Sequence, residues 1–228
     1  MDCTIVELRL RGLFQMPSRN PIDALIFDFD GVIADTESLY WRSWAEGLET
    51  LGITFTWEQY CEIGRGVHDA RMLERLRQLI GNPALFSGLE GGNAVRKQRM
   101  RDLCISQPPI HEKTIEMLHS LNGYRLGLVT SSSRSDVEPV LRAAGIYQCF
   151  DAFVFGEDVE HHKPSPDPYL LLGRRMGVTT GLVFEDSDAG ITSAQLAGFT
   201  VVPVSEPEQL SQIVCRELSP SAAEISGA

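Results

Sequence analysis

Ala24-Leu25-Ile26-Phe27-Asp28-Phe29-Asp30-Gly31 is the stretch on which the fold turns. Four apolar residues are too few for a helix and suit a strand buried on both faces, as in the interior of a parallel sheet. The run stops at two acids one residue apart, with a glycine behind them. Downstream, residues 36–107 read as helices. Trp41, Trp44, Ala45 and Leu48 fall at i, i+3, i+4 and i+7, with Gly52 as a stop signal, and both tryptophans read as core. Met72, Leu73, Leu76 and Ile80 make a second stripe, closed by Gly81. A third helix is expected from about Asn93 to Cys104, its Arg96, Lys97, Arg99 and Arg101 forming a solvated face. Gln107-Pro108-Pro109 breaks the pattern.

From about residue 110 helices alternate with short apolar runs: Arg125 to Val129, Ala152 to Phe155, Leu182 to Phe184 and Thr200 to Val204. Helices are expected at Thr114 to Leu121, around Val137 to Ala144, at Asp167 to Met176 and at Asp188 to Ala197. Such alternation means βαβ units and an α/β fold with a parallel sheet. One strand, then helices, then the rest of the sheet is most simply an insertion. The expected organisation is a core of residues 21–35 and 108–228, a helical cap of residues 36–107, and an N-terminal extension of residues 1–20. Ligands of such sheets bind outside the carboxyl ends of the strands, and a segment leaving the first strand there would lie over the crevice as a lid.

Composition narrows the function. The 228 residues carry 31 Asp+Glu against 20 Lys+Arg, a net charge of −11. That balance is poor for nucleic acid or an anionic membrane. No apolar stretch approaches the ~18 residues of a spanning helix, and no long apolar segment of signal-peptide type stands near the start, so a cytoplasmic location is expected. A monomer is expected. Cys3, Cys61, Cys104, Cys149 and Cys215 are odd in number and widely spaced, which reads as separate thiols in a reducing compartment.

Polar groups follow the predicted strands: Asp28 and Asp30, then Thr130-Ser131-Ser132-Ser133, then Lys163, then Glu185-Asp186. A parallel sheet can bring these ends together. Carboxylates gathered in one pocket repel unless a hard cation neutralises them, and all-oxygen ligands suit Mg²⁺. Thr130, Ser131 and Lys163 can donate to phosphate oxygens. A carboxylate can act as a nucleophile through an aspartyl-phosphate. An EF-hand loop does not fit, since its glycine comes sixth and Gly31 is fourth from Asp28. His161 and His162 are adjacent, so their side chains diverge, and no other ligand is spaced to help them.

In combination these motifs resemble the haloacid dehalogenase superfamily, in its helical-cap branch of β-phosphoglucomutase and sugar-phosphate phosphatases. The similarity runs from residue 22 to about 204. It implies a Rossmann-like core with an inserted α-helical cap. It implies Asp28 as nucleophile and Asp30 as general acid and base, with Thr130 and Lys163 on the phosphate. The metal site implied is the Asp28 side chain, the Asp30 backbone carbonyl and the acidic pair Glu185 and Asp186, with Asp186 the more direct ligand. Dehalogenases of the superfamily need no metal, so Asp30 and the pair at 185–186 point to phosphoryl transfer. Gly64-Arg65-Gly66-Val67-His68 resembles the substrate-specificity loop, making Arg65 and His68 candidates for the far end of the substrate, with Arg71 a weaker one. The mutases place a histidine where direct counting puts Tyr40, and a specificity-loop arginine near Asp69. The expected function is a Mg²⁺-dependent phosphatase of a small phosphorylated metabolite, a sugar phosphate, with a phosphosugar mutase as the alternative. A silent sensor of a phosphometabolite finds no support, because every catalytic position is filled.

Overall fold

The structure, a computed structural model, describes residues 22, 24–64 and 69–219. The expected extension, residues 1–20, and the specificity-loop candidates Arg65 and His68 lie outside the described residues. Ala24–Phe27 forms β1, buried at every position. The helices α1 (Thr36–Glu49), α2 (Trp57–Ile63), α3 (Asp69–Ile80) and α4 (Pro83–Ser106) come next. Then α5 (Glu112–Ser120) leads into β2 (Arg125–Val129), α6 (Arg134–Ala143), β3 (Ala152–Val154) and α7 (Asp167–Met176). The chain closes with β4 (Leu182–Glu185), α8 (Asp188–Leu196), β5 (Thr200–Pro203) and α9 (Leu210–Leu218). No described helix is long and apolar enough to cross a membrane.

The strands form one parallel sheet in the order β3-β2-β1-β4-β5. β1 lies at its centre, with Phe27 opposite Leu128 on one side and Phe184 on the other. That position explains why β1 lacks polar residues: helices cover both faces. Side chains alternate along a strand, so Leu25 and Phe27 enter one apolar cluster, with Leu128, Val140, Phe184 and Leu210. Ala24 and Ile26 enter the other, with Val129, Leu172 and Val183. Phe27 stacks on Phe184 with ring centres 4.9 Å apart. Each such buried side chain stabilises the fold by roughly 1.5–3 kcal/mol.

A third cluster belongs to the helices between β1 and α5. Trp44, Leu48, Tyr60, Met72, Leu76 and Phe86 bury one another there. Trp44 is fully buried, and Trp41 donates from Nε1 to the Phe55 carbonyl at 3.1 Å, so both tryptophans serve packing as expected. α4 departs from expectation by beginning at Pro83 and not near Asn93. The Asn82 side chain accepts from the Ala84 and Leu85 amides and starts the helix. Gly88, Gly91 and Gly92 cost it about 1 kcal/mol each in propensity. Burial of Phe86 and Leu89 offsets this. A Cβ on Gly88 would meet Leu51 Cδ2, just beyond α1, at an ordinary van der Waals distance of 3.4 Å.

The basic face of α4 is solvated only in part. Arg99 is exposed and lies 3.4 Å from Glu46. Arg96 is buried, with its guanidinium 3.7 Å over the Trp44 ring and hydrogen bonds to Ser43 (2.8 Å) and Asn93 (2.9 Å). Arg101 forms an ion pair with Asp136 at the start of α6. Period alone cannot separate a solvated arginine from one stacked on a tryptophan of the neighbouring helix.

Candidate active site

The strand ends converge. Asp28 leaves β1 with its amide on the Phe184 carbonyl at 3.0 Å, which sets its carboxylate beside the end of β4. Thr130 leaves β2 with its amide on the Val154 carbonyl at 3.0 Å. A tight turn follows Asp28, in which Gly31 takes φ +78° and its amide donates to Ala34 O at 2.9 Å. A Cβ on Gly31 would overlap the Asp186 carboxylate. Glycine therefore serves here both for its backbone angle and for its empty side.

Asp28, Glu185 and Lys163 form a buried cluster. The Lys163 ammonium donates to Asp28 Oδ1 at 2.7 Å and to Glu185 Oε1. Glu185, fully buried, also receives the Tyr169 hydroxyl on Oε1 at 3.0 Å. Its Oε2 accepts the Asp186 amide (3.0 Å), the Ser187 amide (3.1 Å) and the Ser187 hydroxyl (3.1 Å). Both oxygens are thus heavily engaged. Gly190 opens the space behind them, for a Cβ there would overlap the Glu185 carboxyl.

The electrostatics show a shortage of positive charge. Burial pushes the Asp28 carboxyl well above the usual carboxylate range; Lys163 opposes that push, while Glu185 and Asp30 add to it. Burial and then the Glu185 charge raise Asp186 to about 6. Burial pulls Lys163 down, but Asp28 and Glu185 outweigh it and hold the ammonium charged. Ligand oxygens of Asp28, Glu185 and Asp186 lie within 4.8 Å of one another. One ammonium among three carboxylates leaves room, in charge and in oxygen ligands, for a hard divalent cation. The donor set fits Mg²⁺.

Asp30 lies beside this cluster and is held by hydroxyls. Its Oδ1 accepts from Thr36 at 3.0 Å, and its Oδ2 accepts from Ser132 at 2.7 Å and Thr130 at 3.3 Å. The Thr130 hydroxyl in turn accepts the Ser132 amide at 3.0 Å. Ser131 is exposed and lines the cavity that opens from Asp28. That cavity has a volume of about 690 Å³ and reaches from Asp28, Asp30, Lys163 and Asp186 to Glu37, Tyr40, Tyr60 and Arg96. It is far larger than a phosphate group and is walled at its far side by α1, α2 and α4.

The structure therefore brings together Asp28, Asp30, Thr130, Ser131, Lys163, Glu185 and Asp186. Arg71 is exposed on α3. His161 is exposed and meets Asp167 at 2.9 Å. Thr36 and Tyr169 are contacts that sequence reasoning misses, and Ser187, next to the acidic pair, is given no role by it. Ser132 belongs to the expected polar run after β2, and its hydroxyl meets Asp30; nothing in the sequence marks Thr36 or Tyr169.

Known proteins match along most of this length. The haloacid dehalogenase-like hydrolase family matches residues 25–204. The fructose-1-phosphate phosphatase YqaB of Escherichia coli (strain K12) is 34% identical over 185 residues, 79% of this chain and 95% of that protein. A phosphorylated carbohydrates phosphatase of Thermotoga maritima is 30% identical over 179 residues, 78% of this chain and 82% of its own length. A solved Thermotoga maritima structure, provisionally named a β-phosphoglucomutase, superposes with a TM-score of 0.71 at 26% identity, covering 87% of this chain and 100% of its own.

Proposed function

Since the chain belongs to the haloacid dehalogenase-like hydrolases, we propose that it is a Mg²⁺-dependent phosphatase of a small phosphorylated metabolite, a sugar phosphate, acting through an aspartyl-phosphate. The observation that carries this reading is the buried Asp28 carboxylate, 2.7 Å from Lys163 at the closed end of a cavity of about 690 Å³. The phosphate of the substrate lies at that end, against Lys163 and the hydroxyls of Thr130 and Ser131. Asp28 attacks phosphorus and forms a P–O bond to its carboxylate as the P–O bond to the sugar breaks. Asp30 enters protonated and gives its proton to the departing sugar oxygen. As a carboxylate it then takes a proton from water, whose oxygen attacks phosphorus and releases phosphate from Asp28. Asp28, Asp186 and the Asp30 backbone carbonyl, with Glu185 beside them, would hold Mg²⁺, which would supply charge stabilisation for the transferring group. The helices α1–α4 act as a cap that closes the cavity against bulk water.

Two relatives named as carbohydrate or sugar phosphatases support the substrate class. The structure named a β-phosphoglucomutase keeps a mutase as the second reading. Tyr40 on the cavity wall, where those mutases carry histidine, favours hydrolysis. The test is phosphate release from a panel of sugar and other metabolite phosphates, with and without Mg²⁺, beside Asp28→Asn. Mg²⁺-dependent release is expected, with kcat lower by about 10³-fold or more in the variant. Near-normal turnover by Asp28→Asn removes the nucleophile assignment. Isomerisation of a hexose 1-phosphate with its bisphosphate, without net phosphate release, establishes the mutase instead.

A further inference from the structure

We propose that Tyr169 is a positioning residue, acting through Glu185 to hold Lys163 against Asp28. The proposal rests on the reading of the site given above. Tyr169 sits on α7 beneath the strand ends and is completely buried. Its hydroxyl donates to Glu185 Oε1 at 3.0 Å, the same oxygen that receives the Lys163 ammonium. Its ring lies 5.4 Å from Lys163 Nζ, so the ammonium rests over an aromatic face as well as between two carboxylates.

The consequence is a matter of competition. Lys163 has two carboxylates to choose from, Asp28 and Glu185. A buried Glu185 with Oε1 satisfied by the lysine alone would draw the ammonium toward itself. The Tyr169 hydroxyl takes up part of that oxygen's capacity and fixes the carboxyl plane, while the Ser187 hydroxyl and the amides of Asp186 and Ser187 fix its other oxygen. Lys163 then stays within reach of Asp28 and keeps a third N–H to present to a phosphate oxygen. Phenylalanine at 169 would keep the ring and lose only this control, because groups around a site are held in productive geometry by such buried hydrogen bonds.

The test is a double-mutant cycle of Tyr169→Phe and Glu185→Gln, read by kcat/KM on the best ester and by the Kd of inorganic phosphate, measured calorimetrically with Mg²⁺. Tyr169→Phe should lower kcat/KM at least fivefold and weaken inorganic phosphate at least threefold, with a melting temperature within a few degrees of wild type. In the Glu185→Gln background the same change should cost less than twofold, since the carboxylate it acts through is gone. Full additivity, or smaller effects of the single variant on both readouts, overturns the proposal. A wild-type protein that releases no phosphate from any ester sinks the phosphatase reading, and the coupling is then decided by inorganic phosphate binding alone. Should Tyr169→Phe fold poorly, Tyr169→Trp, which keeps a ring and removes the hydroxyl, must show the same non-additivity with Glu185→Gln.

Discussion

Gly31 makes the sharpest demand of any single residue in the site. Its φ of +78° is costly for a residue with a Cβ, and the added carbon would overlap the Asp186 carboxylate. Gly31→Ala should therefore leave the sheet intact and weaken Mg²⁺ binding by about 10- to 100-fold, the usual effect of disturbing a ligand's surroundings. A calorimetric Mg²⁺ titration of the folded variant checks this, and an unchanged affinity would remove Asp186 from the metal site. At this scale the sequence is readable where chemistry is concentrated at strand ends. Asp28, Asp30, Thr130, Lys163 and Asp186 each follow a run that can only be a strand. Thr36 and Tyr169 are not readable as site residues, because hydroxyls serve caps and turns everywhere. Ser132 is readable as a polar strand-end residue, but its pairing with Asp30 spans 102 positions of chain and nothing local announces that partner.

Helix α4 shows what an element's sequence can hide. The sequence places its start near Asn93, yet the helix begins ten residues earlier and runs through Gly88, Gly91 and Gly92, because Asn82 caps it and Phe86 and Leu89 are buried. A methyl group added at Gly91 would meet open space, with nothing within 4 Å. Gly91→Ala should stabilise the protein by about 0.5–1 kcal/mol, by relieving the unfolded chain of entropy and raising helix propensity. Asn82→Ala should do the reverse, by about 1 kcal/mol, through loss of the cap. Urea melts of both variants decide the point, and a destabilised Gly91→Ala would mean that α4 is strained there. The strands are the easier elements, since a buried parallel strand writes itself as an uninterrupted apolar run. The short helix α2 is not resolved as a separate element within the helical stretch of residues 36–107 for the opposite reason. Trp57–Ile63 is too brief to show a period, although Thr56 and Gln59 form a capping box at its start.

Across the whole molecule, the charge of the site couples protons to stability, and a bound cation would enter the same balance. Without a cation, burial and the Glu185 charge hold Asp186 at about 6 in the folded protein, against an ordinary aspartate value near ~3.9 in the unfolded chain. Between those two values the folded protein retains a proton that the unfolded chain has released, so stability falls as pH rises through that window. Asp28, raised in the same direction by its burial, adds to the trend. A divalent cation bound there would take the deprotonated carboxylates and reverse the penalty. Mg²⁺ should accordingly raise the melting temperature clearly at pH 7.5 and little at pH 5, and its affinity should fall about tenfold per pH unit below pH 6 if one proton is displaced. Thermal melts with Mg²⁺ or EDTA at both pH values measure it. The Asp186→Asn variant separates the cause: its melting temperature should be less sensitive to pH, and the Mg²⁺ shift at pH 7.5 should shrink. An undiminished Mg²⁺ shift in that variant would place the cation elsewhere, and the sheet's carboxyl edge would then hold a phosphate site whose metal ligands are not the acids that follow β1 and end β4.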